Sequence, residues 1–365
     1  MNSYQQRARS HVYRAPFVHS GYTLGFAKQC RNQLNMNQEF DETAKSLFDS
    51  LLGKSFEMQS EEELSSVAYN PPLGFDETDE LPLFEEDDRD ILMHRDAHFS
   101  SSFPAMLEEY ENEGMAAVLD VFPDRIKFLM DIEERLGRDL APFLLQGADA
   151  ERVAQVRKLY QALSDQINTP KKKPLVSAIA ELILSEESIE KRAQKTAKLG
   201  PKIVPYLIQL IETALFYDPL FPGYGQAPIA AAMTLGILKA NAAIKPLFQL
   251  IGTESFDIES AALIALSQIG DEVKEFCLKQ LKARPLSKNN ERASILASSL
   301  EKDQKFYETI LQELEDPQVQ KIEGLATYLV LACAELPKNL HEHLKKITAS
   351  LPVALQEEIR QITKS

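Results

Sequence analysis

The chain has 365 residues, 44% of them apolar, no tryptophan and a formal net charge of −15. That apolar share can build the cores of about two domains, which argues against a wholly disordered chain. Its acidic balance argues against a duplex-binding protein, which needs clustered Lys and Arg to neutralise phosphates.

Residues 1–38 carry five basic side chains (Arg7, Arg9, Arg14, Lys28, Arg31) and no acid. No apolar h-region follows the arginines, so a flexible arm is expected there, with a transit or unconventional secretion signal as the alternative. Within 1–56 the residues Phe40, Ala44, Leu47, Phe48, Leu51 and Leu52 recur at helical spacing and predict one short helix. Residues 57–90 hold thirteen acids against Arg89 alone, a local balance of −12, broken by Pro71, Pro72, Gly74 and Pro82. Like-charge repulsion and these breakers predict a mobile acidic linker.

Residues 91–167 predict a helical module. Met106, Leu107 and Tyr110, then Ile126, Phe128, Leu129, Ile132 and Leu136, mark successive helices, with Gly114, Gly137 and Gly147 as C-cap residues. Val153, Val156, Leu159, Tyr160 and Leu163 stripe a longer one. The run Asn168 to Pro174, with two prolines and three adjacent lysines, reads as a boundary.

From residue 175 onward the sequence repeats itself. VPYLIQLI at 204–211 matches IKPLFQLI at 244–251 at an offset of 40, so that Val204, Leu207, Ile208 and Ile211 recur as Ile244, Leu247, Phe248 and Ile251. That is the i, i+3, i+4, i+7 face of a helix. Leu235 and Leu238 return 31 residues later as Leu266 and Ile269, set in alanine-rich runs whose small side chains let helices approach closely. Gly270-Asp271 predicts a glycine C-cap followed by an N-cap acceptor. Helices are also expected at 290–300, at 303–315 and from Asp316-Pro317.

The run SAALIALSQIGDEVKEFCLKQL resembles a HEAT or PBS-lyase-type HEAT-like repeat, with Ala261, Ala262, Ala265, Leu266, Ile269, Gly270, Asp271 and Val273 on the motif's positions. The resemblance is best over 175–285, and it departs from the pattern at Gln280 and in having no motif arginine after Asp271. It implies an all-α, right-handed superhelical stack of antiparallel hairpins over 175–365. In this family the concave face, built from successive second helices, binds proteins or, less often, nucleic acids.

Residues 215–228, LFYDPLFPGYGQAP, interrupt the repeat with Phe216, Tyr217, Phe221 and Tyr224 among three prolines and two glycines. Either these rings plug the repeat junction or they present a partner-binding site.

Three further clusters bear on chemistry. His94, Asp96 and His98 are metal-ligand types, and on a helix the two histidines share a face; the other reading is a set of surface residues at a helix start. His94-Arg95-Asp96 and Gly53-Lys54-Ser55 are fragments of the kinase catalytic loop and the P-loop without the rest of either motif. His341-Glu342-His343 lacks HExxH spacing, and GxSxG is missing. The three cysteines, Cys30, Cys277 and Cys333, form neither a CxxC pair nor a disulfide framework, which suits a reducing cytoplasm, and no run of about 18 apolar residues marks a membrane span.

The expectation is therefore a cytoplasmic, non-catalytic adaptor or scaffold that binds a protein partner and needs no cofactor. The alternatives are a nucleic-acid-binding HEAT-like protein and a metal-dependent enzyme using His94, Asp96 and His98.

Overall fold

A computed structural model describes residues 84–364 apart from 120, 146, 169–173 and 254. Among them every regular element is helical, so the chain is all-α as expected. The arm 1–56 with its short helix, and the acidic segment up to residue 83, lie outside the described residues.

The end of the expected acidic linker is ordered. Helix α1 (Glu86–His98) begins inside it, because Asp88 closes a capping box with Glu85, accepting the Glu85 N–H at 2.8 Å. The buried Asp88 carboxylate is also gripped by Arg125, which donates from Nε and Nη2 at 2.7 and 2.6 Å. Paired and capped, this acid escapes the repulsion that argued for mobility.

Four more helices follow: α2 (Phe103–Glu111), α3 (Pro123–Leu136), α4 (Ala141–Leu144) and α5 (Ala148–Asn168). Ser102 caps α2, accepting the Ala105 N–H at 3.3 Å. Gly137 ends α3 in the left-handed region at φ +61°, a conformation that suits a residue without Cβ. The apolar stripe of α5 is buried through Val153, Val156, Leu159 and Leu163, and this helix packs on both α1 and α6 (Pro174–Leu184). Helix packing thus continues across the boundary drawn at 168–174.

From α6 onward the helices form two series of neighbours. In one, α7 (Ile189–Ala197) packs on α9 (Ala227–Ile237) and α9 on α11 (Phe256–Ile269); α13 (Lys288–Ser299) then packs on α16 (Glu323–Leu331). In the other, α8 (Val204–Glu212) touches α10 (Ile244–Gln249), and α12 (Asp271–Leu281) touches α14 (Gln304–Glu315). The short α15 (Pro317–Gln320), then α17 (His341–Thr348) and α18 (Val353–Lys364), complete the chain. The sequence repeat has a geometric counterpart, since 3₁₀ turns at Gly200–Ile203 and Asn241–Ala243 lead directly into α8 and α10. Both stripes face the core, although Ile208 is half-buried where Phe248 is fully buried.

Helices α9 and α11 meet at their small residues. A Cβ placed on Gly236 would lie 2.6 Å from Ala265 Cα, far inside van der Waals contact, so only glycine permits this approach. At the next corner Gly270, at φ +105°, serves both as the end of α11 and as the N-cap of α12. Asp271, expected as the N-cap acceptor, instead lies in the first turn, where its charge favours the positive end of the helix dipole.

Candidate functional site

The residues singled out for chemistry converge where α1 and α5 meet the 215–228 connection between α8 and α9. On α1, His94 and His98 are one turn apart and their rings meet at a tilt of 59° with centroids 4.5 Å apart. His94 is almost fully buried and donates Nε2–H to the Ala116 carbonyl at 2.7 Å, leaving a buried Nδ1 with no partner. A bond of 2.7 Å joins His98 Nδ1 to the Tyr160 hydroxyl on α5. His98 Nε2 makes no hydrogen bond of normal geometry, though the Pro219 and Leu220 backbone lies close enough to favour its protonation.

From the connection, Tyr224 closes over this pair, its ring centroid 4.8 Å from His98 and 6.4 Å from His94. Three successive left-handed residues, Gly223 (φ +89°), Tyr224 (φ +54°) and Gly225 (φ +74°), make the turn that delivers the ring. A side chain on Gly223 would meet the Ile183 carbonyl at 3.0 Å, and one on Gly225 the Tyr217 carbonyl at 3.1 Å. Tyr224 adopts the strained conformation without glycine's freedom, so its contacts must hold it there.

Burial sets the ionisation of the cluster. It pushes His94 down to about 4, and pushes His98, which also faces the neighbouring imidazole, down to about 3. Burial raises Tyr110 to about 12 and also raises Tyr160 and Tyr224, which share a hydrogen bond. At neutral pH the cluster is uncharged. Asp96 belongs to a different network on the far flank of α1, where the fully buried Arg95 donates Nε–H to Asp96 at 2.8 Å, Nη1–H to Glu133 at 2.6 Å and Nη2–H to Asp139 at 2.7 Å. Its guanidinium also lies 4.4 Å from the centroid of the Phe103 ring. This Arg95 hub ties α1 to α3 and to the start of α4.

His94, Asp96 and His98 are therefore not surface residues at a helix start; they sit at the end of α1, two of them in a packed aromatic cluster. No group of three or more His, Cys, Asp or Glu that could hold a metal ion occurs among the described residues. No helix among them is long and apolar enough to cross a membrane.

The chain matches no family model, no curated protein and no solved structure.

The four aromatics of 215–228 separate by depth. Phe216 and Phe221 are core, 0% and 4% exposed, and so are not outward-facing anchors in this fold. The proline and glycine turns that favour outward presentation instead bend the connection back onto α1 and α5. Tyr217 is half-buried and donates its hydroxyl proton to the Ile211 carbonyl at 2.5 Å. Tyr224 is half-buried against the histidines. Two polar contacts flank the connection: the ion pair of Arg152 on α5 with Asp218 at 2.6 Å, and a hydrogen bond from the buried Arg192 on α7, which donates Nη2–H to Gln226 at 2.8 Å. Sequence reasoning reached Tyr160 only as a stripe residue, and nothing in the sequence marked Arg152, Asp218, Arg192 or Gln226.

Gly53-Lys54-Ser55 and Cys30 lie outside the described residues, and the remaining His and Cys candidates make local contacts. His341 Nε2 donates to the Leu336 carbonyl at 2.9 Å, and exposed His343 lies 2.7 Å from Glu315. Cys277 is buried and donates its thiol proton to the Ala293 carbonyl at 3.2 Å; Cys333 is equally buried.

Proposed function

We propose that the chain is a non-catalytic adaptor that holds a protein partner on the surface of a HEAT-like helical array. The observation that supports this most directly is the geometric repeat: the same 3₁₀ turn and buried stripe recur at α8 and α10, and the neighbouring helices α9 and α11 pack side by side through small residues. Stacked hairpins of this kind present long surfaces with few constraints on exposed side chains, which is why they serve as binding scaffolds. On this reading the 215–228 connection is an internal joint, and the partner surface is carried by exposed residues of the array. Ile237 on α9, Ile264 on α11 and Tyr328 on α16 are large apolar side chains at 43%, 48% and 37% exposure, a type better suited to a protein than to phosphate.

The test is affinity capture with cross-linking on the full chain, beside a variant carrying Ile237→Asp, Ile264→Asp and Tyr328→Ser. A protein recovered reproducibly by the parent chain, cross-linked to 175–365 and lost from the variant, is the expected result. Salt-sensitive recovery of nucleic acid instead would refute the reading, as would recovery by both forms with cross-links confined to residues before 175.

A further inference from the structure

We infer that the His94–His98 pair is an acid-released latch, which in mildly acidic solution lets the 215–228 connection leave the face formed by α1 and α5 while the helical array stays folded. The geometry carries this. One side of the contact is two adjoining, tilted imidazoles on α1 with Tyr160 of α5; the other is Tyr224 and the Pro219-Leu220 backbone of the connection. Tyr224 and the Pro219-Leu220 backbone cover the His98 ring, and His94 lies behind it against Phe99 and Tyr110, so opening the contact returns His98 to water first.

The groups around the pair offer no counter-charge through a hydrogen bond. From α2, Tyr110 meets the His94 ring at 6.2 Å, and Glu109 accepts the Ala116 N–H at 2.9 Å beside the His94 carbonyl partner. From α5 comes neutral Tyr160, and from the connection neutral Tyr224, on which Glu109 and Glu186 both bear. Helix α4, also packed on α1, has no ionisable side chain. Arg95, with Asp96, Glu133 and Asp139, occupies the opposite flank of α1, and Arg157 on α5 donates to the Asp96 carbonyl at 2.8 Å. The Arg152 and Asp218 pair beside the joint satisfies its own charge. Both hydrogen bonds to the imidazoles come from neutral oxygens, so two protons would place two cations on rings 4.5 Å apart in a closed site.

The sign follows from linkage. Each histidine has an ordinary value of 6.5 when exposed and a depressed one when closed, so the open form binds more protons as pH falls below 6.5, until the closed form also titrates near 4 or 3. At pH 5 the open form gains about 30-fold for each histidine that opening returns to water; above pH 7 it gains almost nothing. The strained Tyr224 backbone favours release further. The array has no matching trigger, because the only other histidines among the described residues, His341 and His343, lie at the start of α17.

The experiment is hydrogen exchange with mass spectrometry on the full chain at pH 7.5 and pH 5.0, with labelling times scaled for the intrinsic exchange rate. The double variant His94→Phe, His98→Phe is measured alongside. Protection of peptides within 215–228 is expected to fall by about 30-fold or more at pH 5.0 in the parent chain, while 256–281 stays protected and the variant responds less than threefold. The latch is overturned if protection of 215–228 in the parent chain changes less than threefold, if 256–281 loses protection equally, or if the variant shows the same acid response. Should the variant not fold, the ring-proton shifts of His94 and His98 in the parent chain decide. Titration together with loss of loop protection supports the latch, and neutral rings throughout the loss of protection overturn it.

Discussion

Arg152, in the second turn of α5, donates Nη2–H to Asp218 Oδ2 at 2.6 Å, with side chains 23% and 15% exposed. The pair ties the helices before the 168–174 boundary to the connection that interrupts the repeat. A double-mutant cycle on Arg152→Ala and Asp218→Ala should give a coupling of about 1 kcal/mol in chemical denaturation, since partial burial limits both solvent screening and desolvation. Additive losses would show that the contact does not couple the two regions.

Phe221 tests whether the connection is structural. At 4% exposure its ring is core, so Phe221→Ala should lower folding stability by about 3–5 kcal/mol through lost transfer energy and the cavity left behind. Half-buried Tyr224→Ala should lose less. Urea denaturation of both variants measures this, and a Phe221→Ala chain within about 0.5 kcal/mol of the parent would contradict the packing described here.

At Gly236 two effects oppose each other. Alanine is the better helix former by about 1 kcal/mol, but its Cβ would lie 2.6 Å from the backbone Cα of Ala265, which cannot swing aside as a side chain can. Overpacking should prevail, and Gly236→Ala should be destabilising by about 1–2 kcal/mol. A rise in melting temperature would mean that α9 and α11 are further apart than they stand here.

The seam between α9 and α11 was legible because alanine-rich runs at a fixed offset have one physical use, close helix approach. The buried faces of α8 and α10 were legible for a similar reason, since period 3.6 in apolar residues is a direct trace of burial. The joint was not. His94 and His98 show the i, i+4 spacing shared by metal ligands and by packed rings, and only the arrival of Tyr224 from 126 residues further on distinguishes the two. The fate of Phe216 and Phe221 was open for a related reason: prolines and glycines specify a turn but not which way it faces. Acidic density also misled at 86–90, where the deciding partner of Asp88 is Arg125, on another helix.

Burial raises the Cys333 thiol to about 12 and raises Cys277 as well. At pH 7.5 neither holds appreciable thiolate, so neither should react with iodoacetamide under native conditions. Peptide mapping should find both unmodified until denaturant is added; labelling of either within minutes in buffer would show that its helix opens readily.

The start of α1 gives a prediction with a definite sign. Burial, Asp87 and Asp149 raise the Asp90 carboxyl against the opposing pull of Arg152 and Arg89, to about 6 from its ordinary 3.8. The folded chain therefore holds this proton more tightly than the unfolded chain does. Asp90 contributes fully below pH 3.8, loses that contribution as pH rises towards 6, and above 6 its charge opposes folding. Asp90→Asn removes the charge and keeps the shape. It should stabilise the chain by about 1 kcal/mol at pH 7.5, less than the full shift implies because the site is partly open to solvent. The advantage should shrink as pH falls through the same window and vanish near pH 4. Melting temperatures of parent and variant across that range check this, and the comparison cancels the histidine effect common to both. An advantage that persisted unchanged at pH 4 would have to come from something other than the charge on Asp90.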